Sequence, residues 1–281
     1  MRIGEYIRLS IQFYIRYHLY SLCRSILMKI FVISIEEDES LRLNNFITQP
    51  FFQQGTVPYT KVGIKGGEIP VKQYFEMAVK GRSEPLSPSE LGCSMSHMAA
   101  LTAFLETTDE YAFILEDDAL IPHDLTFDQL EQELKKSNLP NNLLLSLGGI
   151  QMKESLKVRG TIREKKLFNK NVLEVTPHYF HRVCAAFAYV VDRKMAETLL
   201  KYNARIRKAD DWGYLYDFDS TTHILMTHIV DHPPLAVGET DERISKLENE
   251  RVNTPDLPQS NYGKFWPKNL IKLVTTRYKK S

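Results

Sequence analysis

Unbroken apolar runs separated by polar breaks divide this chain into alternating strand-like and helix-like stretches. Lys29-Ile30-Phe31-Val32-Ile33-Ser34-Ile35 is a β-prone run suited to a central strand, and Glu36 to Asn45 then turns polar and opens a short helix carrying Leu41, Leu43 and Phe46. Tyr59-Thr60-Lys61-Val62 reads as a short second strand. A longer helix opens at Leu86-Ser87-Pro88-Ser89-Glu90, where Ser87 caps, Pro88 suits the first turn and Glu90 completes a capping box. It runs to Glu106, with Leu91, Met95, Met98 and Leu101 packing while Gly92, Ser94 and Ala99 permit close approach.

The next run, Tyr111-Ala112-Phe113-Ile114-Leu115, ends abruptly in Glu116-Asp117-Asp118. Leu143–Leu147 is another core strand, and Gly148-Gly149 after it predicts a loop that passes close to a ligand. Gln151 to Asn171 is charged and predicts an exposed excursion. Val183–Val191 predicts a strand whose end, Asp192, caps a helix over Arg193–Tyr202. His223–Val230 is β-prone, and Pro233-Pro234 stops it, leaving His232 on a loop. Beyond Gly238 the chain is charged and then Pro-rich, with a helix-like stretch at Asp241–Asn249 placed to close over a site.

Strands alternating with helices predict an α/β fold with a mixed central sheet and flanking helices in one domain. The 281 residues suffice for a substantial core, and 43% hydrophobic with 25% charged residues argues against wholesale disorder and a multispanning membrane protein. A net charge of +1 gives no support for a nucleic-acid binder. Cys23, Cys93 and Cys184 lack metal-knuckle spacing and fit a reducing compartment, and Cys93 reads as core packing. Lys65-Gly66-Gly67 reads as ordinary turn chemistry.

Charge is uneven along the chain. Residues 1–29 carry Arg2, Arg8, Arg16, Arg24 and Lys29 against Glu5 alone, and from Asn261 onwards there are six basic residues and no acid, beside Tyr262, Phe265, Trp266 and Tyr278. Cations mixed with aromatic rings suit the surface of an anionic membrane. Arg8 and Arg16 interrupt the N-terminal apolar run, so it reads neither as a signal peptide nor as a membrane span. Residues 1–27 are read as an amphipathic extension or an over-extended start, 28–250 as the main folded domain and 251–281 as a basic aromatic tail.

Three adjacent carboxylates repel one another and raise each other's pKa, so Glu116, Asp117 and Asp118 call for a cation at the C-terminal edge of a sheet. Together with Lys29–Ile35, the Gly92-Cys93-Ser94-Met95-Ser96-His97 stretch, Leu115–Asp118, Ala188–Arg193 and Ala209-Asp210-Asp211, they make the chain resemble glycosyltransferase family 25, especially its bacterial lipopolysaccharide and lipooligosaccharide transferases.

The resemblance implies a GT-A-like fold with a Rossmann-like nucleotide-sugar domain, and inverting transfer from a UDP-sugar donor with Mn²⁺ or Mg²⁺. Galactose from UDP-galactose is the leading donor; UDP-glucose, or a glycan-binding protein without turnover, stays open. The acceptor is a lipid-linked oligosaccharide at the cytoplasmic face of the bacterial inner membrane, with peripheral contact to anionic lipid.

By the same resemblance Asp118 is the leading metal ligand. Glu116 contacts the ribose or a metal-bound water, and Asp117 either acts directly or organises the loop. Ser96 and His97 lie near the donor. Asp210 and Asp211 are the candidate bases for the acceptor hydroxyl, and Asp211 is favoured for its nearness to Trp212, a ring suited to stacking on a sugar. Lys208-Ala209-Asp210-Asp211-Trp212 departs from the family's usual proline-valine-aspartate wording, which leaves the base open by one residue. His228 and His232 are candidates for a late metal ligand, His232 the more attractive. Tyr179, Phe180, Trp212 and Tyr214 are candidates to shape an acceptor groove.

Overall fold

The computed structural model describes residues 28–233 and 268–280. The extension at 1–27, the helix-like 241–249 stretch and the Pro-rich segment lie outside them.

The strands are β1 (Met28–Ile33), β2 (Tyr59–Val62), β3 (Tyr111–Glu116), β4 (Leu143–Ser146), β5 (Arg159–Ile162), β6 (Leu173–Val175), β7 (Ala188–Asp192), β8 (His223–Met226) and β9 (Thr276–Arg277). They form one sheet in the order β2-β1-β3-β7-β4-β8-β6-β5-β9. β2, β1 and β3 run parallel, β7 runs against both β3 and β4, and β8 is parallel to β4. The far edge, β6-β5-β9, is antiparallel.

The longer helices are α1 (Leu41–Ile47), α2 (Pro88–Leu105), α3 (Phe127–Lys136), α4 (Arg193–Tyr202) and α5 (Lys268–Val274). Period-two alternation sends Phe31 and Ile114 to one face of the sheet, where Leu91, Leu101 and Met195 of α2 and α4 cover them. Ile30, Val32 and Phe113 point the other way, onto Phe51 and onto Leu130 and Leu134 of α3.

Local chemistry sets several boundaries. Ser87 Oγ accepts from the Glu90 amide at 3.1 Å while Glu90 Oε2 accepts from the Ser87 amide at 3.0 Å, closing the expected capping box of α2. Asp192 caps α4 by accepting from the Met195 amide at 2.7 Å. Gly92 lets α2 touch the Lys65–Gly67 turn: a Cβ there would lie 2.6 Å from both Gly66 N and Ile64 O. That turn is a packing surface for α2.

Three expectations change. The charged 151–171 stretch is no mere excursion, because Arg159–Ile162 joins the sheet as β5 against β6 and β9. β7 begins at Ala188 rather than Val183; Pro177–Arg182 coils into a helical turn and Ala185 sits at φ 69°, outside strand geometry. The glycines after β4 make room for protein. A Cβ on Gly148 would fall 2.3 Å from the Phe187 ring, and one on Gly149 would fall 2.7 Å from Cys184 O.

Candidate active site

The site forms where β1 and β3 end together and β7 begins. Asp117 N donates to Ile33 O at 3.2 Å and Glu116 N to Phe187 O at 2.8 Å, so chain segments remote in sequence meet at this edge. A fourth segment is held by the reciprocal Leu120–Asp231 bridge, at 2.8 and 2.9 Å, which sets His232 beside the acids.

The three carboxylates have different surroundings. Asp117 is engaged on both oxygens: Oδ2 accepts from Ser34 Oγ at 2.6 Å, and Oδ1 accepts from Arg42 Nε at 2.8 Å and Nη2 at 2.5 Å. Burial lifts its carboxyl above the ordinary value even against these donors. Asp118 Oδ2 accepts from Arg42 Nη2 at 3.1 Å and lies 3.5 Å from His232 Nε2, while its buried Oδ1 has no hydrogen-bond partner among the described residues. Burial acts to raise Asp118, but His232 and Arg42 outweigh it and hold the carboxyl low. Glu116 is partly exposed, and its Oε1 lies 3.3 Å from His97 Nε2.

His232 is oriented from behind. The Pro233 carbonyl, 2.7 Å from Nδ1, can only accept, so it fixes the proton on Nδ1 and turns Nε2 toward Asp118. Burial acts to lower the imidazole pKa, yet the Asp118 contact and this carbonyl together raise it. Phe187 packs against the ring at 5.0 Å between centroids. A divalent cation suits these groups: Asp118 Oδ1 is a buried oxygen donor with no partner among the described residues, and the neighbouring imidazole presents the nitrogen that ligation uses. His228 instead pairs with Asp231 at 2.6 Å.

His97 is buried on α2 between Glu116 and Tyr189, whose hydroxyl lies 2.9 Å from Nδ1. Cys93, one turn earlier, brings its sulfur into the same group, and the donor atoms of Cys93, His97 and Glu116 all lie within 4.8 Å of one another. Cys93 is only half-buried there, at the rim of the core rather than inside it. Ser96 is fully buried with its hydroxyl engaged by backbone, accepting from Ile64 N at 2.9 Å and donating to Gly92 O at 2.8 Å. It fastens α2 to the segment after β2.

The Asp210-Asp211 pair divides by environment. Asp210 Oδ2 accepts from Ala185 N at 3.0 Å, holding the segment that leads into β7. Asp211 has weaker contacts, with Arg207 Nη1 and Gly213 N each at 3.4 Å. Trp212 is buried edge-on to Tyr189 at 6.3 Å, so its ring serves the core rather than an open sugar platform. Tyr179 and Phe180 are likewise buried, whereas Tyr214 is exposed. Arg42 is the functional side chain that sequence reasoning passed over; the unneutralised acid triplet was the signal that a cation had to come from somewhere.

A mixed sheet flanked by helices, with a reversed strand beside an acidic strand end, defines a GT-A-like α/β domain. The profile of glycosyltransferase family 25 (LPS biosynthesis protein) matches residues 28–214. The chain belongs to that family and is a glycosyltransferase for acceptors of the lipopolysaccharide type. Among solved structures it is similar to A197 from STIV, at 15% identity and a TM-score of 0.37 over 73% of this chain and 83% of that one. It is also similar to mannose-1-phosphate geranyltransferase from Thermus thermophilus, at 9% identity and a TM-score of 0.35 over 73% and 76%. Neither likeness bears on function. No curated protein matches.

Proposed function

We propose that the protein is an inverting hexosyltransferase that moves galactose from UDP-galactose onto a lipid-linked oligosaccharide of lipopolysaccharide or lipooligosaccharide type. The observation that carries this reading is the buried Oδ1 of Asp118, without a hydrogen-bond partner among the described residues, beside His232 at the end of β3. Asp118 and His232 are the residues that would hold Mn²⁺ or Mg²⁺, with Glu116 beside them on the same strand end. When bound, the cation offsets the charge that develops on the departing diphosphate.

The chain's own residues do the rest. Asp117, held by Arg42 and Ser34, fixes the backbone from which Asp118 projects. Glu116, with His97 behind it, faces the donor. Asp211 accepts the proton of the acceptor hydroxyl as that oxygen bonds to the anomeric carbon, while the carbon's bond to the phosphate oxygen breaks and UDP leaves with the electron pair. Asp210 keeps the segment entering β7 in place through Ala185.

For the lipid-linked acceptor, α5 supplies a surface. Leu270, Leu273 and Val274 form one exposed apolar face, with Lys272, Arg277, Lys279 and Lys280 around it. Such a surface suits the anionic cytoplasmic leaflet. Among the described residues no helix is long and apolar enough to cross a membrane.

The test is a panel of UDP-sugars and lipooligosaccharide acceptors read by mass spectrometry with linkage determination. The proposal expects β-linked galactose transfer that needs Mn²⁺ or Mg²⁺, is stopped by chelation and is lost in a folded Asp118→Asn variant. Turnover with another sugar only, or with no dependence on Asp118, overturns it.

A further inference from the structure

We propose that Cys93, His97 and Glu116 form a second metal site, for a thiophilic divalent cation such as Zn²⁺, and that its occupation restrains sugar transfer. Cys93 and His97 stand four residues apart on α2, the spacing that places two ligands on one helix face. Glu116 comes from the end of β3 to meet them. The donor atoms already lie within 4.8 Å of one another, and tetrahedral zinc needs ligand atoms about 3.5 Å apart. Glu116 is partly exposed, so its side chain can supply the small closure and leave an open position on the solvent side.

Two observations separate this group from an incidental cluster. The first is an outer partner: Tyr189 holds His97 Nδ1 at 2.9 Å, leaving Nε2 as the nitrogen facing Glu116. With Nε2 ligated, Nδ1 carries the proton and donates to the tyrosine oxygen, an arrangement that orients ligating histidines generally.

The second is the chemistry of the donors. Sulfur, nitrogen and one carboxylate favour zinc, whereas the Asp118 neighbourhood, richer in oxygen, suits Mg²⁺ or Mn²⁺. The two positions therefore sort cations by softness. Occupation draws Glu116 toward α2 and away from the donor; this second step rests on the donor role of Glu116 given above.

Spectroscopy on the full, reduced chain tests the site without any assay of turnover. Titration with Co²⁺ should produce a thiolate-to-cobalt charge-transfer band that saturates at one ion per chain and disappears on adding Zn²⁺. Cys93→Ser should lose the band with its circular dichroism unchanged, whereas Cys184→Ser and Asp118→Asn should retain it. Absence of the band in the parent, or its survival in Cys93→Ser, overturns the site.

In transfer assays supported by Mn²⁺, equimolar Zn²⁺ should lower the parent's rate about tenfold or more and leave Cys93→Ser at its own uninhibited rate. Equal inhibition of both overturns the restraint. A chain that transfers no sugar at all would defeat the proposed function, while the cobalt band would still decide the site.

Discussion

Arg42 grips Asp117 with two nitrogens, Nε at 2.8 Å and Nη2 at 2.5 Å, and reaches on to Asp118 with the second. Removing one partner of such a pair leaves a charge buried without compensation. Arg42→Gln is expected to cost about 3 kcal/mol at neutral pH in urea unfolding without added metal. The Asp117 pKa is already raised by burial, and losing Arg42 raises it further. The penalty therefore grows as pH rises through the folded value and shrinks as acid protonates the group, so parent and variant should converge at low pH. A gap independent of pH would assign the loss to packing.

Asp210 and Asp211 should separate in kinetics. Asp211→Asn is expected to lower kcat by about 100-fold or more with the fold intact, the usual scale for losing a general base. Asp210→Asn, which weakens the bond to Ala185 N, should show its main effect as about 1 kcal/mol of lost stability. The reverse pattern would make Asp210 the base.

Gly92→Ala tests the contact between α2 and the Gly66 turn. The added carbon meets backbone on two sides at 2.6 Å, and backbone cannot rotate away. A loss of about 3 kcal/mol or more in thermal or urea unfolding is expected, despite the higher helix propensity of alanine.

The α5 face predicts salt-sensitive binding to vesicles containing anionic lipid. Replacing the exposed Leu273 and Val274 by glutamate should reduce sedimentation with vesicles several-fold without changing stability, because neither side chain is packed. Unchanged sedimentation would remove α5 from the membrane contact.

Much of this frame was legible in the sequence, and the gaps have physical causes. β1, β3, α2 and the Asp192 cap were legible because apolar runs and capping residues act locally. β5 was hidden because its alternation is broken by Arg159 and Gly160, and its place in the sheet depends on partners at both sides. Asp118 announced itself at the end of an apolar run. Its neighbour His232 was legible as a candidate ligand on a loop, but not its place beside Asp118, which a bridge between Leu120 and Asp231 sets. Arg42 and the sulfur of Cys93 were opaque for the same reason: each acquires its role from a residue far away in the chain.

The reversed direction of β7 has a consequence for how the protein comes to be active. The strand that completes the sheet beside β3 is made long after it, and His232 is made later still, so the site is a product of nonlocal pairing rather than of any one segment. Such pairings carry high loop-closure cost and form slowly. During synthesis the acids of β3 emerge after Ser34, Arg42 and His97 but well before Phe187 and His232, so an emerging chain holds only part of the site until β7 and the His232 segment have joined. Recovery of transfer on refolding should accordingly trail the recovery of helical signal, making activity a late reporter of the native state.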